Sequence, residues 1–158
     1  MDLVGERARA RDFAALTALA EGDDEAVRCK ALGVVAWARG GDVVQAHLRA
    51  VGNERCGWKP RAESAFRLAE ELTGDERRPA VAALAPLLTA QEPELRWNVA
   101  RALGHLAHPD ALPALLACAG DSNKFVAAWC VWSRCRIETP DDSCRKPNMN
   151  LTNGKPAP

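Results

Sequence analysis

The chain has 158 residues with 21 basic and 21 acidic side chains, so its formal net charge is zero, and 47% of it is hydrophobic. That length suits one domain, and the even charge balance argues against a protein whose affinity comes from neutralising phosphates, so nucleic acid is not the expected partner. No apolar run nears the roughly 20 residues of a membrane span and the first 20 residues lack a signal-peptide core, so no membrane is expected and the chain is read as cytoplasmic.

Residues 1–11 carry Arg7, Arg9 and Arg11 among small residues, which predicts a frayed leader or an extra helical turn. Asp12 is a good N-cap for a helix over 13–21, and the acidic turn 22–25 places carboxylates where the next helix's dipole favours them. That helix is expected to run to about residue 38 and to stop at Gly40-Gly41. A short helix follows Asp42 and ends near Gly52. Pro60 then falls in the first turn of a helix over 58–73, where its missing N–H is not needed. A helix over 76–90 should bend at Pro86.

The stretch 94–121 is the clearest unit. Leu95, Val99, Ala102, Leu103 and Leu106 lie at i, i+4, i+7, i+8 and i+11, an apolar stripe of helical period. His108-Pro109 closes that helix, and Asp110 caps a short apolar helix that stops at Gly120. The last helix is expected over 123–137. A register starting on Phe125 buries Trp129 and Trp132, whereas one starting on Val126 buries Cys130 and Ile137 and turns both tryptophans sideways. The Val126 register is preferred because it keeps a 31-residue step from Leu95. From residue 139 the periodicity is lost, so 139–158 is expected to be a disordered tail behind a repeat domain over 1–138.

The stripe recurs at Val27, Ala31, Val34, Val35 and Ala38 and again at Trp58, Ala62, Ala65, Phe66 and Ala69, each time with a cation, Arg28, Lys59 or Arg96, after the first apolar residue. Short helices recur too, with Asp12, Asp42 and Asp110 each followed ten residues on by Gly22, Gly52 and Gly120. Hairpins that cannot bury their own apolar faces, repeated at steps of roughly 30 to 37 residues, predict an all-α, right-handed α-solenoid of about four hairpins. Leu103, Leu106, Val35, Phe66 and Leu116 are the expected core.

The wording of each unit, an acidic turn, an apolar residue with a cation, an Ala-rich helix and a Gly-Asp or Pro-Asp turn, resembles HEAT repeats of the short bacterial, phycobilin-lyase-like kind. The resemblance covers about residues 12–137 and implies a fold more than a function, because such repeats serve as scaffolds, subunits and enzymes. Deoxyhypusine hydroxylase, another HEAT-like solenoid, is similar, and the similarity implies irons held by His-Glu pairs directly after the apolar-cation dipeptide. Here those places hold Cys29-Lys30, Pro60-Arg61, Trp97-Asn98 and Ala128-Trp129, so no iron, and no other metal or cofactor, is expected. HEAT-like DNA glycosylases use tryptophans with an Asp, and the matching positions here offer no carboxylate.

The six cysteines (29, 56, 118, 130, 135 and 144) show no CxxC pairing and are read as buried free thiols acting as small hydrophobes. Positions facing away from the stripes form an aromatic and cationic band that includes Trp37, Arg61, Asn98, Arg101, His105, Trp129, Trp132 and Arg136, with Trp97 beside it. Trp and Arg are common partner anchors. No Ser, Cys or carboxylate stands where it would form a triad with His105 or His108. The expected function is therefore a non-catalytic adaptor that binds a protein or peptide through its concave face. The alternatives are a bilin-lyase-like enzyme or enzyme subunit, and a HEAT-like nucleic-acid binder.

Overall fold

A computed structural model describes residues 2–139, 141 and 143–147. Among these, all regular structure is helical, and the fold is an α-solenoid built of helical hairpins. The chain gathers into two compact units, Met1–Glu71 and Leu72–Pro158. Of the tail expected over 139–158, residues 140, 142 and 148–158 lie outside the described residues.

The first unit holds α1 (Leu3–Arg9), α2 (Phe13–Glu21), α3 (Glu25–Trp37), α4 (Val44–Ala50) and α5 (Trp58–Glu71). Its helix starts are set by side-chain oxygens: Asp12 accepts from the Ala15 N–H at 3.1 Å and Asp24 from the Val27 N–H at 2.9 Å. Phe13, Leu16, Leu32, Val35 and Val43 are buried together as its core. In α5 the buried face is wider than the repeated stripe, because Arg61, Ser64 and Leu68 are buried along with Ala62 and Ala65, while Phe66 is only half-buried.

His47 is fully buried on α4. Its Nε2 lies 3.1 Å from the Ala38 carbonyl, which can only accept, so Nε2 carries the proton and Nδ1 accepts from the Ser64 hydroxyl at 3.1 Å. Burial holds the imidazole below its usual pKa; the Ala38 carbonyl opposes this and the charge of Arg67 adds to it. A group whose folded pKa is depressed resists a proton that the unfolded chain accepts below about 6.5. The stability tied to His47 is thus whole above about pH 6.5 and falls as pH drops toward the lower folded value, by at most about 1.4 kcal/mol per pH unit. Urea unfolding at several pH values should show this slope, and His47→Gln should flatten it.

The second unit holds α6 (Arg77–Leu84), α7 (Pro93–Leu106), α8 (Leu112–Cys118) and α9 (Lys124–Glu138). Pro86 does more than bend one long helix: the α-helix ends at Leu84, and Ala85–Thr89 winds on as a tighter 3-10 segment. Proline cannot donate to the i−4 carbonyl, and a 3-10 turn accommodates the loss. The stripe Leu95, Val99, Ala102, Leu103 and Leu106 is at most 1% exposed throughout. Leu103→Ala should therefore cost about 2 to 5 kcal/mol in thermal or urea unfolding.

Helices α7 and α9 approach closely at Gly104. A Cβ there would lie 2.9 Å from the Ser133 Cα and run into the Trp132 ring. Ser133 in turn donates to the Ala100 carbonyl at 2.6 Å. Leu116, expected in the core, is 50% exposed, because α8 buries the adjacent Leu115 and Cys118 and turns Leu116 to the other side.

Among the described residues no cysteine is free, which corrects the free-thiol reading. Cys29 pairs with Cys56, Cys118 with Cys130 and Cys135 with Cys144, at Cα separations of 5.4, 5.9 and 5.8 Å, the range a bridge requires. Each pair joins neighbouring elements, and such partners need no short sequence spacing. The last bridge ties Ser143–Pro147 to α9. No helix among the described residues is long and apolar enough to cross a membrane.

Candidate functional site on the α7–α9 rim

Trp97, Arg101 and His105 recur every four residues along one face of α7, and Phe125, Trp129, Trp132 and Arg136 follow i, i+4, i+7 and i+11 along one face of α9. Where the helices pack, these faces meet. The Trp97 ring stacks on Trp129 at 6.2 Å and meets the edge of Phe125 at 5.3 Å; Trp129 meets Trp132 edge to face at 5.2 Å. Trp129 and Trp132 are only 2% and 3% exposed. The Val126 register, which turned them sideways, is thereby corrected: α9 buries Phe125, Val126, Trp129, Cys130, Trp132 and Ser133 together, a face wide enough to hold both alternatives. The two tryptophans are packed beneath the surface and do not line a groove.

Cations stand around these rings. The Arg101 guanidinium carbon is 5.8 Å from the centre of Trp129, and Arg136 and Lys146 are 5.8 and 5.9 Å from the centre of Trp132. The His105 imidazole meets Trp132 at 5.2 Å and is exposed on its outer side. Its pKa is lowered first by burial against the aromatic face and then by the charges of Arg101, Lys146 and Arg136. Burial first, with the neighbouring positive charges adding to it, holds His105 toward its neutral form.

The other expected site residues lie elsewhere or serve the fold. Trp37 is 69% exposed in the first unit, with the Arg67 guanidinium carbon 5.8 Å from its ring centre. Arg61 is 5% exposed and donates to the Val51 carbonyl at 2.9 Å, so it is a packing residue. Asn98 donates to the Glu94 carbonyl within its own helix at 2.8 Å. Of the repeated cations, Arg96 pairs with both Asp121 oxygens at 2.8 and 3.0 Å and Arg28 donates to the Gly22 and Asp23 carbonyls. Lys59 instead rests 6.0 Å from the Trp58 ring centre. Lys146 was hidden in the expected tail, and the signal that could have revealed it was the bridge partner Cys144.

The residues in the iron-ligand places do not fit a metal. Cys29 is bridged, Arg61 is committed to a backbone carbonyl, and Trp97 and Trp129 are stacked. Among the described residues no group of three His, Cys, Asp or Glu side chains could hold an ion.

No curated protein matches the chain. Among solved structures, human deoxyhypusine hydroxylase in complex with glycerol is similar at 27% identity and a TM-score of 0.60, over 81% of this chain and 44% of that one. The chain thus spans less than half of that enzyme's length. The likeness is to an enzyme, and it corrects the expectation of a non-catalytic adaptor. The sequence profile of HEAT repeats matches residues 57–135, without the narrower phycobilin-lyase type, and from the helical hairpins and this match together the chain belongs to the HEAT-repeat family.

Proposed function

We propose that the chain is an enzyme or the subunit of one, with the α7–α9 rim as its working surface. The observation that carries this reading is the similarity to deoxyhypusine hydroxylase over most of the chain. The iron chemistry of that enzyme does not come with it, because the ligand places hold Cys29-Lys30, Pro60-Arg61, Trp97-Asn98 and Ala128-Trp129. The chemistry assigned here is acid–base. His105 is exposed, is held neutral near pH 7 by its surroundings, and so is suited to accept a proton. Arg101 and Arg136 stand where negative charge developing beside it would be stabilised.

The test is untargeted mass spectrometry of a source-cell extract incubated with the purified chain, alone and with whatever co-elutes with it. A substrate mass that falls while a product mass rises, in the wild type and not in His105→Ala, is the expected result. Identical extracts with both proteins would sink the reading.

For location, three bridges among six cysteines favour an oxidising compartment over the cytoplasm expected from the sequence, the disulfide-rich interiors of hyperthermophiles apart.

A further inference from the structure

We propose that the Cys135–Cys144 bridge is a thiol–disulfide exchange site, opened by a dithiol while the other two bridges stay closed, and that opening it frees residues 143–147 from the face of Trp132. The inference stands apart from the enzymatic reading of the rim, and its test uses no turnover.

The three bridges sit in different surroundings. Cys118 and Cys130 are 7% and 0% exposed, so a reductant reaches that pair only when the α8–α9 packing opens. Cys29 and Cys56 are half-buried, and Cys56 packs against the core of the first unit. Cys135 and Cys144 are half-buried as well, but Cys144 belongs to a stretch with no helix or strand among its described residues, and Ser143, Arg145 and Lys146 around it are all exposed. Exchange rates follow access to the sulfurs, and access singles out this pair.

The place of the bridge in the stack says what it holds. On α7, Ala100 and Gly104 lie under α9: Ala100 is fully buried with its carbonyl accepting from the Ser133 hydroxyl, and a Cβ on Gly104 would strike Ser133 and Trp132. One repeat step later the same two places on α9, the last described helix, are Val131, which is 55% exposed, and Cys135. The segment tied to Cys135 therefore lies where a following helix would pack, and it sets the Lys146 ammonium 5.9 Å from the centre of the Trp132 ring. Repeat arrays need a polar cap at each end, and this strap supplies part of one. Its bridge spans only 9 residues, so an opened pair meets again readily and the exchange is reversible.

The exchange takes two displacements. A thiolate of the dithiol attacks the Cys135 sulfur and forms a mixed disulfide; the Cys135–Cys144 bond breaks and its electron pair leaves on Cys144. Arg145 and Lys146, the next two residues, favour that anion until it takes a proton, which makes Cys144 the leaving side. The second thiolate of the dithiol then attacks the reagent's own sulfur in the mixed disulfide and releases Cys135. The protein gains two electrons and two protons as two thiols, and the dithiol ends as a disulfide.

The experiment exposes the full, native chain to dithiothreitol, quenches samples over time with iodoacetamide and maps the labelled cysteines by peptide mass. Cys135 and Cys144 should be labelled roughly ten-fold faster than either other pair. Once the reductant is removed, trypsin should cut the opened, alkylated protein after Arg145 roughly ten-fold faster than the oxidised protein, because a fastened segment must first detach to enter a protease. Cys144→Ser should be cut at the opened rate without any reductant, which separates release of the strap from the bulk of the alkyl group. Arg145→Gln combined with Lys146→Gln, both at exposed positions, should slow the opening roughly two- to five-fold at low salt. Labelling of all three pairs at one rate, or of Cys29 and Cys56 first, overturns the exchange site. Cleavage after Arg145 that is unchanged by opening overturns the strap, and an unchanged opening rate in the double charge variant overturns Cys144 as the leaving side.

Discussion

Trp129→Ala and Trp132→Ala are each expected to lower stability by about 3 to 5 kcal/mol, the loss typical of deleting a buried aromatic side chain. Trp129 touches Trp97, Phe125 and Trp132, so removing it leaves a void shared by both helices, and neither helix can close it. The α7–α9 packing is already tight, with Gly104 against Ser133 and Trp132, and that restricts any collapse. The indole Nε1 of Trp129 is buried with no hydrogen-bond partner. Trp129→Phe should therefore recover most of the loss, since it restores apolar volume and removes an unsatisfied donor. Thermal unfolding of the three variants is the measurement. A loss under about 1 kcal/mol for Trp129→Ala would mean the ring is not the core element described, because surface changes seldom cost more.

The double variant Cys29→Ser with Cys56→Ser should lose about 3.5 kcal/mol. Cross-linking residues 27 apart in sequence removes chain entropy from the unfolded state, and the loop-closure relation for that length gives this size of effect. The bridge joins α3 to the turn before α5, so it ties together the two hairpins of the first unit. Urea unfolding of the oxidised wild type, the wild type under reductant and the double variant should place the last two together, apart from any further loss from the other two bridges. Alkylation of the unfolded, unreduced chain followed by mass measurement checks the premise: no cysteine should be labelled. Labelling of Cys29 and Cys56 would show that bridge absent and with it the entropic stabilisation.

Helix positions and types were legible because they rest on local rules. Asp12 and Asp24 cap α2 and α3 through their own side chains, and the Leu95 to Leu106 stripe has one period and one buried face. Pro86 was legible as a disturbance, though not as a change of winding, since the choice between a kink and a 3-10 segment depends on what packs around it.

The candidate site was legible as a set of residues and not as an arrangement. Arg101, His105, Trp129, Trp132 and Arg136 can be read from helical spacing, but spacing does not say that α9 buries both of its candidate faces. Burial of a helix is decided by how many neighbours surround it, and α9 packs on both α7 and α8. Nor does spacing say whether a residue of the band faces solvent: Arg61 and Trp37 fit the same band, and one is buried on a carbonyl while the other is exposed.

By itself the sequence determined the helical hairpins, their caps and the repeated stripe, because capping and amphipathic period act within a dozen residues. Only the tertiary structure decided the three cysteine pairings, the burial of Trp129 and Trp132, and the placing of Lys146 over the Trp132 ring. Those depend on which surfaces face one another across separate helices, and a contact between residues far apart in the chain leaves no mark on the periodicity of either.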